Sequence, residues 1–276
     1  MDTAIASVQG MNTSEVLLVE HDAGGILQLT LNRPAELNAW TYDLEAAFFA
    51  ALDAAAADPT VRTVVITGAG RGFCAGASMS LLGSVPDARP DRSVRRRLCE
   101  LAAYPKPLIA ALNGAAAGIG FALSISCDMR FCDESAVLKT SFATLGLVAE
   151  HGVSWLLPRL VGRTHALDLL LSGRAVRGAE AQAMGLVNRC VPDGEALRAA
   201  RDYAELLVSS AAPSSWAIIK RQLLDADLLT LEDAYAQAAE LMDSALTSAD
   251  HREGVQAFRD KRRPQFAPLA QTTWRT

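Results

Sequence analysis

The stretch from Pro107 to Cys127 contains no charged residue, and this limits the folds that the chain can adopt. It is long enough to form one membrane-spanning helix. However, the pair Asn113-Gly114 interrupts it, and Gly118 and Gly120 follow, which are signals for a turn and for the start of a helix. The stretch therefore predicts a buried strand, a turn and a buried helix inside a globular protein.

Apolar periodicity predicts strands and helices that alternate up to about residue 190. Residues 26–31 alternate apolar and polar side chains, as a half-buried strand does. Other predicted strands cover 61–67, 108–112 and 129–132, and predicted helices cover 42–57, with Thr41 as its N-cap, and 118–127. After Pro158 the pattern is mainly helical, over 163–172, 178–184, 195–211, 214–226, 231–247 and 250–259. These elements predict an α/β fold with a helical C-terminal region.

The composition excludes several classes of protein. Half of the 276 residues are hydrophobic and 21% are charged, which excludes a chain that is disordered throughout. The formal net charge of −5 is opposite to that of proteins that grip nucleic-acid phosphates, so we predict no nucleic-acid partner. The four histidines have no metal-ligand spacing among them, and we predict no metal site.

Cysteine usage and the N-terminus predict a cytoplasmic location. The five cysteines are odd in number and irregularly spaced, which is typical of reduced thiols. The chain begins Met-Asp, without the basic segment and apolar run of a signal peptide. We therefore expect a cytoplasmic protein with no membrane partner. Residues 1–12 are predicted to be a disordered extension, and Met11 is an alternative start.

Two glycine-rich loops are the candidate functional segments. Gly68 to Gly76 follows the predicted strand 61–67 and resembles a dinucleotide-binding loop, but Phe73 occupies the third glycine position of that motif. Gly118-Ile-Gly120 fails in the same way, because Leu123 occupies the third position. We therefore predict no nicotinamide cofactor.

The same two loops fit a different chemistry. Residues 74–77 and 117–120 offer backbone N–H groups beside small side chains, and two such groups aimed at one point make an oxyanion hole. The second loop lies in the first turn of a helix, where the macrodipole adds positive potential. Two tight turns with glycines present for steric reasons are the alternative, and the spacing alone favours it.

Motifs along nearly the whole chain resemble the enoyl-CoA hydratase/isomerase (crotonase) superfamily. The matching segments are Asn32-Arg-Pro…Asn38-Ala39, Arg71-Gly-Phe-Cys-Ala-Gly-Ala-Ser78, Lys106-Pro-Leu-Ile-Ala-Ala-Leu-Asn-Gly114, Gly118-Ile-Gly120…Cys127-Asp128, Leu145-Gly-Leu147…Leu157-Pro158, Gly185-Leu-Val187 and Glu253-Gly254…Phe258…Lys261-Arg262. The resemblance implies an α/β spiral of strand–strand–helix repeats over 13–200. It also implies a C-terminal helical region, 201–276, that forms a homotrimer or a dimer of trimers.

The resemblance also implies roles for particular residues. The N–H groups of Ala77 and Ile119 match those that hold an acyl-CoA thioester carbonyl, with Gly120 beside the second. Residues 75–77, which include Gly76, match a segment that lies along the CoA adenine. Phe258 and Lys261 match positions that complete the CoA pocket of a neighbouring subunit. No separate cofactor is implied, because coenzyme A is part of the substrate.

The sequence departs from the hydratase pattern at the catalytic positions. Two glutamates that hold a water in hydratases would fall at Ala122 and about Phe142, and neither residue accepts a proton. Glu150 matches instead the base of 3-enoyl-CoA isomerases and ring isomerases. We expect an apolar wall that includes Phe142 to exclude water from Glu150 and raise its pKa. His151 could hydrogen-bond nearby or face solvent, and we expect it to face solvent.

A double-bond shift from 3-enoyl-CoA to 2-enoyl-CoA is therefore the predicted activity. Three alternatives stay open. Glu150 alone could support hydration of a 2-enoyl-CoA. The chain could bind acyl-CoA without turnover. Glu150 could instead be a carboxylate that stabilises the N-terminus of the helix starting near Val153.

Overall fold

A computed structural model of the chain describes residues 14–83, 96–269 and Trp274. The predicted extension at 1–12 lies outside the described residues. The strands are β1 (Leu17–His21), β2 (Ile26–Leu31), β3 (Thr63–Gly68), β4 (Gly72–Cys74), β5 (Leu108–Leu112), β6 (Ala115–Ala117), β7 (Met129–Asp133), β8 (Val137–Lys139), β9 (Ala175–Arg177) and β10 (Arg189–Val191).

Helices separate the strands and form the C-terminal part of the chain. They are α1 (Tyr42–Ala57), α2 (Met79–Gly83), α3 (Ile119–Ser126), α4 (Val153–Ser172), α5 (Gly178–Ala183), α6 (Ala196–Ser210), α7 (Pro213–Ala226), α8 (Leu231–Leu246) and α9 (Ala249–Asp260). Three short 3₁₀ helices cover Pro34–Glu36, Leu98–Ala103 and Ala143–Leu145.

The strands form two sheets, and the chain visits them in turn. One sheet has the order β1-β2-β3-β5-β7-β10 and the other has the order β4-β6-β8-β9. Each of the successive pairs β3/β4, β5/β6 and β7/β8 contributes one strand to each sheet before the next helix begins. Strands β3, β5 and β7 are parallel, and so are β4, β6 and β8. The chain is therefore a spiral of strand–strand–helix turns, which confirms the predicted fold class.

The apolar runs of the sequence become strands that are covered on both faces. Every residue of β3 is buried, as expected of a central parallel strand. One face of the large sheet joins the main core, to which α1 contributes Phe48 and Leu52. The opposite face carries Ile26, Val65 and Ile109 against α6.

The sequence predicted the bounds of several long elements well, but it predicted no strand of the second sheet. The predicted bounds of β2, β5 and α1 agree with the structure, and the Thr41 hydroxyl accepts a hydrogen bond from the Leu44 N–H at 3.2 Å as the N-cap of α1. Strands β4, β6, β8 and β9 have only three residues each, which is too short to show an alternating pattern. The helix predicted from 163 is the second half of α4, which is interrupted at Gly162 (φ 76°, ψ 161°).

The uncharged stretch 107–127 forms β5, the turn at Asn113-Gly114, β6 and α3, which confirms the predicted strand, turn and buried helix. In the described part of the chain, no helix has both the length and the apolar composition needed to cross a bilayer. The predicted division into 13–200 and 201–276 falls within α6 and stays a prediction.

The C-terminal helices are tied to the spiral by the contacts of a partly buried lysine. The Lys220 ammonium of α7 lies 2.5 Å from the Asp128 carboxylate and donates to the Lys106 carbonyl at 3.0 Å. The same Asp128 carboxylate accepts the Leu108 N–H that begins β5. Helix α7 is therefore anchored at the junction between α3 and the large sheet.

Candidate active site

The first glycine-rich loop is held by backbone hydrogen bonds to the segment before α1. The Trp40 N–H donates to the Gly76 carbonyl at 2.7 Å, and the Ser78 N–H donates to the Trp40 carbonyl at 3.0 Å. This is a parallel bridge between Trp40 and Ala77, in which the N–H of Ala77 itself points away from Trp40. Within 14–83 and 96–269, the Ala77 N–H has no backbone acceptor.

The second loop presents the N-terminus of α3. Ile119 is the first residue of this helix, so its N–H is one of the donors that has no acceptor inside the helix. The preceding Gly118 has a positive φ of 51° and donates its N–H to the Lys139 carbonyl at 3.0 Å. The macrodipole of α3 makes the position in front of Ile119 favourable for negative charge.

The two loops lie in contact with each other. Strands β4 and β6 are parallel neighbours, so both loops leave the same end of the small sheet. At Gly76 (φ 109°) an added Cβ would stand 3.1 Å from the Ala117 carbonyl oxygen, and at Gly120 it would stand 2.0 Å from the Cys74 carbonyl oxygen. Glycine at these two positions therefore permits the close approach of the segments that carry Ala77 and Ile119.

The structure thus gathers five of the sequence-predicted site residues into one region. Gly76 and Gly120 are buried, whereas Ala75, Ala77 and Ile119 are half-buried. The nearby Cys74 is fully buried, and burial raises the pKa of its thiol to about 12, so the thiol stays protonated near neutral pH. This region can donate hydrogen bonds from main-chain N–H groups.

The two positions where hydratases carry glutamates hold apolar core residues. Ala122 and Phe142 are both buried in the main hydrophobic cluster. The carbonyl of Phe142 accepts the N–H groups of Leu145 and Leu147 and so shapes the turn after β8. A pair of carboxylates that holds a water is therefore absent from these two positions.

Glu150 lies in a tight turn just before α4. The Val153 N–H donates to the Glu150 carbonyl at 3.0 Å, and both central residues of the turn, His151 and Gly152, have positive φ. Gly152 packs against Cys99 so closely that an added Cβ would stand 2.6 Å from the Cys99 Cβ. The 3₁₀ helix that contains Cys99 packs in turn on α3. The turn of Glu150 is thereby linked to the helix that begins at Ile119.

The surroundings of Glu150 differ from the predicted ones in two respects. The Glu150 side chain is 49% exposed, so the expected apolar wall does not enclose it within the described part of a single chain. The His151 side chain is only 22% exposed, and its Nε2 lies 3.4 Å from Oε1 of Glu150, so the prediction that His151 faces solvent is wrong. His151 has a left-handed φ of 54° in the same turn.

Phe258 and Lys261 lie at the C-terminal end of α9. Phe258 is 86% exposed, and Lys261 is an exposed C-cap residue with a φ of 53°. Their predicted contact with coenzyme A belongs to a neighbouring subunit, and the single chain leaves both side chains exposed. Within the described residues, no three His, Cys, Asp or Glu side chains cluster as metal ligands would.

Sequence reasoning missed the part played by Trp40. Its indole is buried, lies edge-on to Phe48 at 5.5 Å and donates to the Glu45 carboxylate at 3.1 Å. Its backbone supplies both hydrogen bonds that fix the orientation of Ala77. Because those bonds come from the main chain, the side-chain pattern contains no signal for them.

The spiral of parallel strands and the paired loops define a protein of the crotonase fold. A model of the enoyl-CoA hydratase/isomerase family matches residues 21–268. The chain belongs to this family.

The named relatives include both an isomerase and hydratases. The chain is 35% identical to 1,2-epoxyphenylacetyl-CoA isomerase of Escherichia coli K12, over 90% of this chain and 97% of that protein. It is also 35% identical to 2,3-dehydroadipyl-CoA hydratase of the same organism, over 87% of this chain and 94% of that protein. Among solved structures, an enoyl-CoA hydratase from Polaromonas sp. JS666 superposes with a TM-score of 0.84 at 34% identity, covering 91% of this chain and 99% of that one.

Proposed function

We propose that the protein moves the double bond of a 3-enoyl-CoA to give a 2-enoyl-CoA. The observation that carries the proposal is the Glu150 carboxylate, whose turn packs on the 3₁₀ helix beside α3, together with apolar residues where hydratase glutamates would stand. Within the described residues, the two loops carry the N–H groups of Ala77 and Ile119, which have no backbone acceptor. One carboxylate suffices for a proton shuttle, whereas the two-glutamate hydration mechanism needs a pair.

The proposed reaction begins with proton removal. The thioester carbonyl of the substrate accepts hydrogen bonds from the N–H groups of Ala77 and Ile119. The Glu150 carboxylate takes a proton from C2, and the electron pair of the broken C–H bond delocalises onto the carbonyl oxygen. The two fixed donors stabilise this charge by several kcal/mol, because they are already oriented when the charge develops.

Return of the same proton to C4 completes the reaction. The carbonyl re-forms, the double bond moves to C2–C3, and Glu150 is again a carboxylate, so atoms and electrons balance without any cofactor. His151, at 3.4 Å, is placed to stabilise the carboxylate form of Glu150 when the imidazole is protonated.

The proposed substrate complex uses more than one chain. We expect residues 75–77 to run beside the adenine of coenzyme A, with Gly120 behind the thioester and Phe142 supporting the acyl pocket. Phe258 and Lys261 of a neighbouring subunit would close the pocket, in a homotrimer or a dimer of trimers. All five cysteines are free thiols, which supports a cytoplasmic location.

Hydration of a 2-enoyl-CoA is the second candidate function. The half-exposed Glu150 leaves room for a water molecule, and one of the relatives is named a hydratase. A binding protein without turnover is the candidate from another class.

Parallel assays with a 3-enoyl-CoA and a 2-enoyl-CoA separate these candidates. We expect wild-type protein to isomerise the former and Glu150→Gln to lose that activity by about 100-fold or more, because the amide cannot accept the C2 proton. Glu205→Gln, an exposed glutamate in α6, is the matched control and should retain full activity. Hydration that survives in Glu150→Gln would contradict the role of Glu150, and inactivity on both substrates would favour the binding protein.

A further inference from the structure

Two cysteines face each other across neighbouring parallel strands. Cys132 of β7 and Cys190 of β10 are register partners. Adjacent strands lie about 4.8 Å apart, which is inside the Cα separation of roughly 4.4–6.8 Å that a disulfide spans. Cys132 belongs to the main core cluster and Cys190 packs against that same cluster, so both side chains lie on one face of the sheet.

Hydrogen bonds on both sides of this pair fix its register. The Asn188 N–H donates to the Arg130 carbonyl at 2.9 Å, and the Glu134 N–H donates to the Val191 carbonyl at 2.9 Å. The N–H of Cys190 donates to the Gln182 side chain at 2.5 Å. Strand β10 is therefore held against β7, and the two sulfur atoms stay adjacent.

The two thiols interact and differ in exposure. Each thiol is within hydrogen-bonding reach of the other. Cys132 is fully buried, and burial raises the pKa of its thiol to about 12. Cys190 is partly exposed at the edge of the sheet, and its partial burial also raises the pKa of its thiol. A small oxidant would therefore meet Cys190 first, with Cys132 directly behind it.

The other cysteines lie in different settings. Cys74 and Cys127 are buried, and the Cys127 Sγ donates to the Leu123 carbonyl at 3.4 Å. Cys99 is partly exposed but belongs to a 3₁₀ helix and packs against Gly152. Cys99 is therefore a useful comparison, because it shares the exposure of Cys190 without a cysteine as its register partner.

We propose that Cys132 and Cys190 are a redox modification site that forms a reversible disulfide when the folded protein meets a hydroperoxide. The Cys190 sulfur attacks the peroxide, the O–O bond breaks, and a sulfenic acid forms as water (or an alcohol) leaves. The Cys132 thiol then gives up its proton, and its sulfur attacks the Cys190 sulfur. The S–O bond breaks, and the hydroxyl group leaves with that proton as water. Two electrons pass from the thiols to the peroxide, and an added dithiol reverses the change.

The disulfide would close a loop that contains the proposed base. Residues between 132 and 190 include β8, the Glu150 turn, α4, β9 and α5. Cross-linking a loop of this length restricts the unfolded chain, so the oxidised protein should unfold at a higher temperature, by at least about 4 °C. The proposal does not depend on which reaction Glu150 performs.

Peptide mapping of the intact, folded protein tests the proposal. The folded protein is treated with hydrogen peroxide, the peroxide is removed, and free thiols are alkylated under denaturing conditions. The chain is then digested without reduction and analysed by mass spectrometry. We expect one peptide pair linked through Cys132 and Cys190, lighter by two hydrogen atoms, that disappears after dithiothreitol. The thermal midpoint should rise with the linked fraction.

Two single-cysteine variants serve as controls for the peptide mapping. Cys190→Ala should abolish the linked pair, and Cys99→Ala should leave it unchanged. If either variant fails to fold, the mapping of the wild-type protein decides. The proposal is overturned if Cys132 and Cys190 stay fully alkylatable while Cys99 becomes oxidised, or if the link appears only after unfolding or only between chains.

Discussion

Ala77 and Ile119 act, in this account, through main-chain atoms, and their side chains are nearly irrelevant to the chemistry. A backbone donor is fixed by the hydrogen bonds of its neighbours, here those of Trp40 around Ala77 and the first turn of α3 at Ile119. Such a donor can be removed only by a residue that has no N–H. Proline is that residue, and the first position of a helix tolerates it.

Ile119→Pro should therefore remove one oxyanion donor while keeping α3. We expect kcat to fall by about 100- to 1,000-fold, because the loss of one fixed donor in other oxyanion holes has that size. Ile119→Val keeps the N–H and should lose less than about threefold, with similar circular dichroism for both variants. Equal activity of the proline and valine variants, both folded, would show that this N–H holds no developing charge.

At the residue scale, the sequence predicted only part of the candidate site. Glu150 was found from its place in a motif, but the local sequence did not reveal that its side chain is half-exposed or that His151 lies beside it. Both facts depend on the left-handed turn at His151 and on the contact between Gly152 and Cys99. Because Gly152 and Cys99 lie far apart in the chain, the local sequence does not show their contact.

At the scale of helices and strands, the sequence predicted the elements that have a recognisable apolar pattern of their own. Helix α1 has a cap and an apolar face, and β2 alternates, so their bounds were readable. Strand β6 is Ala-Ala-Ala and β4 is Gly-Phe-Cys, and three residues are too few to show the alternation of a strand. These short strands form only because the spiral stacks them in register, which is a property of the whole fold.

The contact between α3 and β4 is the element-scale feature on which the site depends. At Gly120 an added Cβ would stand 2.0 Å from the Cys74 carbonyl oxygen, so alanine would push α3 away from the sheet. We expect Gly120→Ala to lower the free energy of unfolding by about 1–3 kcal/mol, as overpacking does, and to reduce activity. Urea unfolding followed by circular dichroism measures the change.

Gly254→Ala in α9 is the matched control for that substitution. Its added Cβ would meet only the Phe266 ring at ordinary contact distance, 3.7 Å, and alanine favours a helix over glycine by about 1 kcal/mol. This variant should be neutral or more stable than wild type. If Gly120→Ala unfolds at the same urea concentration as Gly254→Ala, the close packing of α3 on β4 does not hold the loops together.

At the scale of the whole molecule, the C-terminal helices expose much apolar surface. Large exposed side chains on this part of the chain include Leu223, Leu228, Leu231, Tyr235, Met242 and Phe258. Apolar patches of this kind mark protein interfaces in most soluble proteins. The sequence of one chain can indicate such a surface, but it does not show what covers it.

Light scattering on the purified protein measures the assembly directly. We expect a mass of three or six times the 29.3 kDa of one chain. An active protein with the mass of one chain would contradict the proposed pocket, because Phe258 and Lys261 would then have no neighbouring site to complete.

Lys261 should contribute to binding rather than to chemistry. We expect Lys261→Ala to raise the KM for an acyl-CoA by about tenfold with kcat nearly unchanged, since a lost charge-assisted hydrogen bond costs about 1.5 kcal/mol or more. The effect should shrink at high salt. Arg259→Ala removes the same charge from the same end of α9 and should leave KM unchanged; equal effects of both variants would indicate general electrostatics instead of a specific contact.

Hydrogen exchange at C2 tests the central claim most directly, because it isolates proton removal from whatever follows it. A saturated acyl-CoA is incubated with the protein in D₂O, and NMR follows the loss of the C2 proton signal. We predict that wild-type protein exchanges these protons and that Glu150→Gln slows the exchange by about 100-fold or more while still binding the ligand. Exchange at the wild-type rate in Glu150→Gln, or a wild-type protein that binds the thioester and exchanges nothing, would contradict the account.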